Sequence, residues 1–297
     1  MVGSALARLF KAEGHEVLGR ASGELNLLER ADTFAELKAT QPDALVIAAA
    51  KVGGIGANST FPVDFLTKNL QIQGNLIDGA HAANIERVLF LGSSCIYPRM
   101  AEQPIEEESL LTGPLEDTNE AYAIAKIAGI KLINAYRKQY DRHWISAMPT
   151  NLYGPNDNFD FESSHVLPAL IAKFHEAKQN GNASVTLWGD GTPLREFLHV
   201  DDLAKACSRL LEKYDDSIAI NVGSGSEVTI RGLAEMIQKT VGFEGDIEFD
   251  TSRPNGTPRK ILSIERIQSL GWNPQIKLAD GLASTYEWFK QNALSKV

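Results

Sequence analysis

Cysteine is scarce in this chain. Only Cys95 and Cys207 occur among 297 residues. Two are too few for a disulfide-built scaffold, and nothing marks secretion. A dense lysine/arginine run is also missing. The 29 basic residues stand against 38 acidic ones, a net charge of −9. That excludes the basic stripe that a nucleic-acid or anionic-membrane surface needs, although a few local cations suffice for a small anionic substrate. No apolar run reaches the about 18 residues of a membrane span, and the N-terminus has no signal-peptide pattern. The six histidines show no zinc-ligand spacing, so no metal is expected. There is no repeat or low-complexity segment. What these absences leave is a cytoplasmic enzyme acting on a small molecule.

At about 150 residues per domain, the length suggests two. The first half alternates strand and helix. A helix over Ser4 to Ala12 is followed by a short strand at His15 to Leu18. The apolar run Ala44 to Ala50 predicts a strand buried on both faces. A helix from Pro62 to Ala83, a strand from Arg87 to Ser93, a helix from Tyr122 to Tyr140 and a strand over Trp144 to Met148 continue the series. This order predicts an α/β fold, a Rossmann-like doubly wound parallel sheet whose ligands sit at the strands' carboxyl ends. Beyond Pro155 the alternation loosens. Asn156 to Ser164 reads as a loop, Val166 to Asn180 as a helix and Ser184 to Trp188 as a strand. Asp201 or Asp202 is expected to cap a helix ending near Leu211. Short strands at Ile218 to Val222 and Ile247 to Asp250 then alternate with helices at Ile230 to Val241 and Leu278 to Asn292. The expected division is a cofactor domain of residues 1–152 plus 183–222, and a smaller α/β substrate domain of 153–182 plus 223–297.

Tyr122 and Lys126 stand four apart and so share one helical face. An ammonium beside a phenol favours the phenolate, which lets a tyrosine exchange protons with a carbonyl or alcohol oxygen near neutral pH. Ser93 or Ser94, at a strand end, supplies a hydroxyl to the same oxygen. Alone, the pair reads first as a half-buried tyrosine with a snorkelling lysine, and the Ser-Ser-Cys turn and the α/β pattern around it shift that balance. Cys207 shares an apolar helical stripe with Ala204 and Leu211 and reads as core.

Several strings together carry more. They are Ala48 to Gly54, Gly92-Ser-Ser-Cys-Ile-Tyr-Pro98, Tyr122-Ala-Ile-Ala-Lys126, Pro149 to Pro155, Trp188 to Asp202 and Gly256-Thr-Pro-Arg-Lys260. On these, the chain resembles the extended short-chain dehydrogenase/reductase family over nearly its whole length. Within it, the chain is most similar to members that epimerise GDP-4-keto-6-deoxy-D-mannose at C3 and C5 and reduce it at C4 to GDP-L-fucose. The resemblance implies Cys95 and His165 as the acid/base pair at carbon. It implies Tyr122 as proton donor in the reduction, supported by Lys126 and Ser93. It places NADP(H) against Gly3, Ala49, Ala50, Leu91, Gly92, Ser93 and Ser94. Lys126, Pro149, Thr150, Asn151, Leu152 and His165 complete that site. The GDP-sugar is implied to meet Asn151, Lys173, Trp188, Arg195 and Lys260. Lys173 stands where the family often has arginine, a point charge in place of a bidentate fork. Many members are homodimers, for which the Pro62 and Tyr122 helices are the candidates.

The N-terminus departs from the family, which opens with a strand and a Gly-x-x-Gly-x-x-Gly turn. Gly3 matches only the last glycine. The first strand is apparently missing from this chain, and a start at an internal methionine of a longer protein is the expectation. The segment Leu18 to Ser22 holds Arg20 and no acid. That favours NADP(H) over NAD, with Arg20 or Ser22 near the 2′-phosphate. Two further readings stay open. One is another nucleotide-sugar 4-epimerase or 4,6-dehydratase of the superfamily, which would not need the Cys95/His165 pair. The other is a truncated non-catalytic nucleotide-binding protein.

Overall fold

Four parallel strands make the first sheet of the computed structural model, which describes residues 1–161, 163–253 and 255–292. Their order is β1 (Ala44–Ile47), β2 (Arg87–Leu91), β3 (Ile145–Pro149) and β7 (Ile220–Val222). The strand pleat sends alternate side chains to opposite faces. Val88 and Phe90 face α4 (Pro62–Ala82) and α5 (Glu120–Tyr140), with Leu37 of α2 (Arg30–Thr40) in the same core. Leu89 and Leu91 face α1 (Val2–Ala12) and α7 (Val200–Lys213). Helices thus cover both faces, as a doubly wound sheet requires. The short α3 (Ile55–Thr60) follows β1.

A second core lies among α6 (Val166–Asn180), α8 (Ile230–Val241) and α10 (Leu278–Asn292). Strand β5 (Ser184–Trp188) runs parallel to β9 (Asp246–Asp250). A third sheet centres on β6 (Leu194–His199), which pairs with β4 (Asn151–Tyr153), with the two-residue β10 (Arg259–Lys260) and, antiparallel, with β8 (Glu227–Thr229). The remaining helix, α9 (Glu265–Ser269), packs near β7. Among the described residues, no helix is long and apolar enough to cross a membrane.

Three local expectations differ from the structure. His15 to Leu18 forms no strand. Among the described residues β1 is the sheet edge on that side, so no neighbouring ladder receives the segment. The cap of α7 is His199, whose side chain accepts the Asp201 amide. Asp202 instead turns inward and accepts the amides of Gln275 and Ile276 at 2.8 and 2.7 Å. The third concerns only residues 184–188 of the stretch 183–222 expected in the cofactor domain. Within them, β5 pairs with β9, and Val185 and Leu187 lie in the second core.

Gly129 sets how closely α5 approaches β2. A Cβ at that position would stand 2.7 Å from Cε1 of the buried Phe90. Gly129→Ala should therefore cost about 1–3 kcal/mol of stability through overpacking, read from urea denaturation midpoints. An unchanged midpoint would mean that α5 has freedom to move away from the sheet.

Candidate active site

The strand ends and α5 bring the reactive side chains together. Chain leaving β2 turns through Ser93 into a short 3-10 helix, Ser94–Ile96, whose cap is the Ser93 hydroxyl. That turn packs against α5, which carries Tyr122 and Lys126. Gly92 is tied to β3 through Ala147 at 2.8 Å, so the turn sits at the carboxyl end of the sheet.

Lys126 is buried. Its ammonium donates to the Leu91 carbonyl at 2.8 Å and lies 4.8 Å from the Phe90 ring centroid. The Tyr122 ring centroid is 5.8 Å away. Burial pulls the lysine down to about 8, with Cys95 acting in the opposite direction. Tyr122 is pushed upward by burial and by the neighbouring thiol. The spacing argument expected the ammonium to lower the tyrosine. In the structure the ammonium is engaged by a backbone carbonyl, and desolvation of the phenol prevails. In the free protein Tyr122 is therefore a proton-bearing phenol.

The displaced lysine has a pH signature. Between about pH 8 and the ordinary lysine value, the unfolded chain holds a proton that folded Lys126 has released. Stability from this group thus rises with pH through that window, and the penalty is fully present below it. Lys126→Met should flatten the rise in urea midpoints between pH 8 and 10. An identical slope in variant and parent would contradict the buried cation.

Cys95 is buried beside this pair. Burial raises its thiol, while Lys260, a Ser93 hydrogen bond and Lys126 work in the other direction. Lys260 is itself lowered, by burial first, with Cys95 favouring its charge. His165 is exposed at the N-cap position of α6 and makes no side-chain cap bond; desolvation by the surrounding protein and then the Lys260 charge lower its pKa. Lys260 thus acts on both members of the expected carbon acid/base pair. Arg195 is its register partner across β10 and β6, and burial lowers that guanidinium.

The other substrate candidates lie further out. Trp188, at the end of β5, is 66% exposed, an unusual state for a tryptophan and suited to stacking on a ligand ring. Arg253 lies 5.1 Å from that ring, a neighbour that sequence reading missed because it is remote in sequence from Trp188. Lys173 donates to the Thr186 carbonyl at 2.9 Å. The Asn151 amide is committed to the backbone of Glu196 at 2.9 Å. Ala49 and Ala50 follow β1, half-buried, and Thr150 and Leu152 follow β3. Arg20 and Ser22 are exposed, and Arg20 pairs with Glu36 at 2.8 Å. Glu196, within the Trp188 to Asp202 string, is fully buried, which only the fold reveals.

A dinucleotide fits one feature of this chain. A Cβ on Gly3, in the first turn of α1, would meet nothing within 4 Å. Backbone open to close approach at a helix N-terminus suits a pyrophosphate. The strand ends with Ala49, Leu91 and Pro149 belong to the same sheet that α1 covers.

Comparison with known proteins extends this picture. The sequence matches the NAD dependent epimerase/dehydratase family over residues 1–223. It is 54% identical over 297 residues to the putative GDP-L-fucose synthase 2 of Arabidopsis thaliana, covering 100% of this chain and 90% of that one. Against the GDP-L-fucose synthase of Escherichia coli strain K12 it is 50% identical over 302 residues, covering 98% and 94%. Among solved structures, a GDP-L-fucose synthetase from Naegleria fowleri bound to NADP superimposes with a TM-score of 0.90 at 27% identity. That match covers 98% of this chain and 91% of the other.

Proposed function

Because this chain belongs to the NAD dependent epimerase/dehydratase family, we propose that it converts GDP-4-keto-6-deoxy-D-mannose to GDP-L-fucose. The steps are 3,5-epimerisation and NADPH-dependent 4-reduction. Relatives of that name at 50% and 54% identity over almost the whole chain support the substrate. The observation that supports the chemistry is the packing of the Ser93–Cys95 turn against α5, which carries Tyr122 and Lys126. Lys126 reaches back to the Leu91 carbonyl at the foot of that turn. This supports carbon acid/base groups and reductive groups sharing one site, as a two-stage reaction on one substrate demands.

The 4-keto group acidifies the hydrogens on C3 and C5. As a thiolate held by the cations of Lys260 and Lys126, Cys95 takes a proton from carbon and becomes a thiol. His165 returns a proton from the opposite face, which inverts the centre. Bound NADPH supplies hydride to C4. Tyr122 gives its phenolic proton to O4, with Ser93 holding that oxygen and Lys126 stabilising the phenolate left behind. Arg195, Lys260 and Lys173 supply positive charge to the GDP pyrophosphate. Asn151 shapes the strand end beneath the sugar, and Trp188 offers its exposed face to the nucleotide.

The remaining cofactor contacts follow the sheet. Gly3, Ala49, Ala50, Leu91, Gly92, Ser93, Ser94, Pro149, Thr150 and Leu152 line the dinucleotide, with Arg20 or Ser22 nearest the 2′-phosphate. Residues 1–152 with the β6 to β7 stretch serve the cofactor; 153–182 and 223–297 serve the GDP-sugar, with β5 packed among them. We read the chain as a cytoplasmic homodimer through α4 and α5, whose Val63, Leu70 and Ile124 are exposed. A solution mass near 32.4 kDa, that of one chain, would end the dimer reading.

The test is turnover. The 297-residue chain is incubated with GDP-4-keto-6-deoxy-D-mannose and either NADPH or NADH, and the nicotinamide absorbance is followed. Stoichiometric loss with GDP-L-fucose as product is expected, faster with NADPH. Sugar conversion without net cofactor oxidation would move the assignment to a 4-epimerase or dehydratase. Silence that persists after an N-terminal strand and glycine turn are added would leave a binding protein.

A further inference from the structure

Glu196 is fully buried in β6, beside Arg195. A carboxylate in such a place is costly unless its oxygens are met by donors. One oxygen, Oε1, accepts the Gly225 amide at 2.8 Å and the Ser224 hydroxyl at 3.5 Å. The other, Oε2, accepts the Leu262 amide at 3.1 Å. Its backbone carbonyl accepts the Asn151 amide and the Thr150 hydroxyl. Gly223 passes so close that a Cβ there would overlap Oε1. One side chain therefore ties β6 to the loop after β7 and to the chain just beyond β10. Strand β10 has only two residues and pairs with β6 at Leu194 and Arg195 alone. So short a ladder holds little by itself; Glu227 pairs with Arg259 and residues 103 and 105 hold the chain at 261–263 from the other side, while the Leu262 bond supplies the tie to β6 two residues past Lys260.

Resting on the reading above, we infer that Glu196 is a positioning residue: its carboxylate helps lock β10 to β6 and so keeps the Lys260 charge within reach of Cys95. With no exposed surface, it touches neither substrate nor cofactor. Its charge works in the same sense. Around Lys260, the groups favouring the ammonium are Cys95, Glu196 and Glu116, and Arg195 opposes it. Around Cys95, Lys260 and Lys126 favour the thiolate. Loss of the Glu196 anchor weakens the first of these cations.

The experiment needs no substrate. Iodoacetamide alkylation of Cys95, which keeps 9% exposure, is followed at pH 8 by peptide mass spectrometry, with Cys207 as a sentinel because it has none and reacts only on unfolding. Glu196→Gln places an amide NH2 against an N–H donor and removes the charge. It should slow Cys95 alkylation about three- to tenfold, the scale of a partly displaced cation, with Cys207 silent. In a Lys260→Met background the same change should slow it no further. Gly223→Ala keeps every charge but displaces the carboxylate, and should slow Cys95 likewise. Unchanged or faster Cys95 labelling in both variants would overturn the inference. So would equal slowing without Lys260. Cys207 labelling in both variants would also overturn it, making Glu196 a scaffold residue alone. Turnover is not read here, so this result stands apart from the test of the reaction.

Discussion

Cys95→Ser should stop deuterium wash-in at C3 and C5 of the keto sugar, a loss of about 10²–10⁴-fold in proton-transfer rate, while the fold survives. The physical reason is the acidity of the group. A thiol, even one raised by burial, can reach its anion with Lys260, Ser93 and Lys126 around it. A serine hydroxyl in the same buried place cannot, because its anion lies far higher in energy and the same desolvation applies. The replacement is nearly isosteric, so Ile96 and Tyr97, which lie in the same core as Cys95, keep their packing. Exchange is measured by NMR of recovered sugar nucleotide in D2O. Parental exchange rates in the variant would remove Cys95 from the carbon chemistry. A pre-epimerised ketone, if supplied, should still be reduced.

Tyr122→Phe should show the opposite separation. Reduction should fall by about 10²–10⁴-fold, while wash-in at C3 and C5 persists. The phenol of Tyr122 carries its proton in the free protein, held there by burial and the adjacent thiol. It is thus ready to give that proton to O4, and phenylalanine has none to give. The ring stays in place, edge-on to Phe65 at 6.3 Å between centroids, so binding should change little. NADPH oxidation and deuterium exchange are read in the same reaction. Joint loss of both would mean that Tyr122 also serves the enolisation of the ketone. Together the two variants split a two-stage reaction at one site, and each provides the control for the other.

The alternation of strand and helix was legible in the sequence because buried parallel strands read as short apolar runs. β2 and β3 fall within a residue or two of the runs that predict them. Helices α6, α8 and α10 begin and end where expected. Tyr122 and Lys126 stood out by their spacing and Ser93 by its place at a strand end, whereas Cys95 and Lys260 were singled out only by the family resemblance. Charge balance, cysteine scarcity and the absence of long apolar runs were settled by composition alone.

Only the tertiary structure decided what those residues do to one another. Spacing put an ammonium beside a phenol, yet the Leu91 carbonyl captures Lys126 and burial raises Tyr122. His165, Cys95 and Lys260 are far apart in the chain, and β10 pairing with β6 brings the lysine into the field of the other two. His15 to Leu18 has the pattern of a strand but no neighbouring ladder to join. Glu196 lies in a stretch for which local pattern predicts no element, and its role depends on amides from residues 225 and 262. The division has one physical cause. Local pattern reports backbone preference and residue chemistry, which each segment carries by itself. Desolvation, charge coupling and ladder partners arise only when distant segments meet.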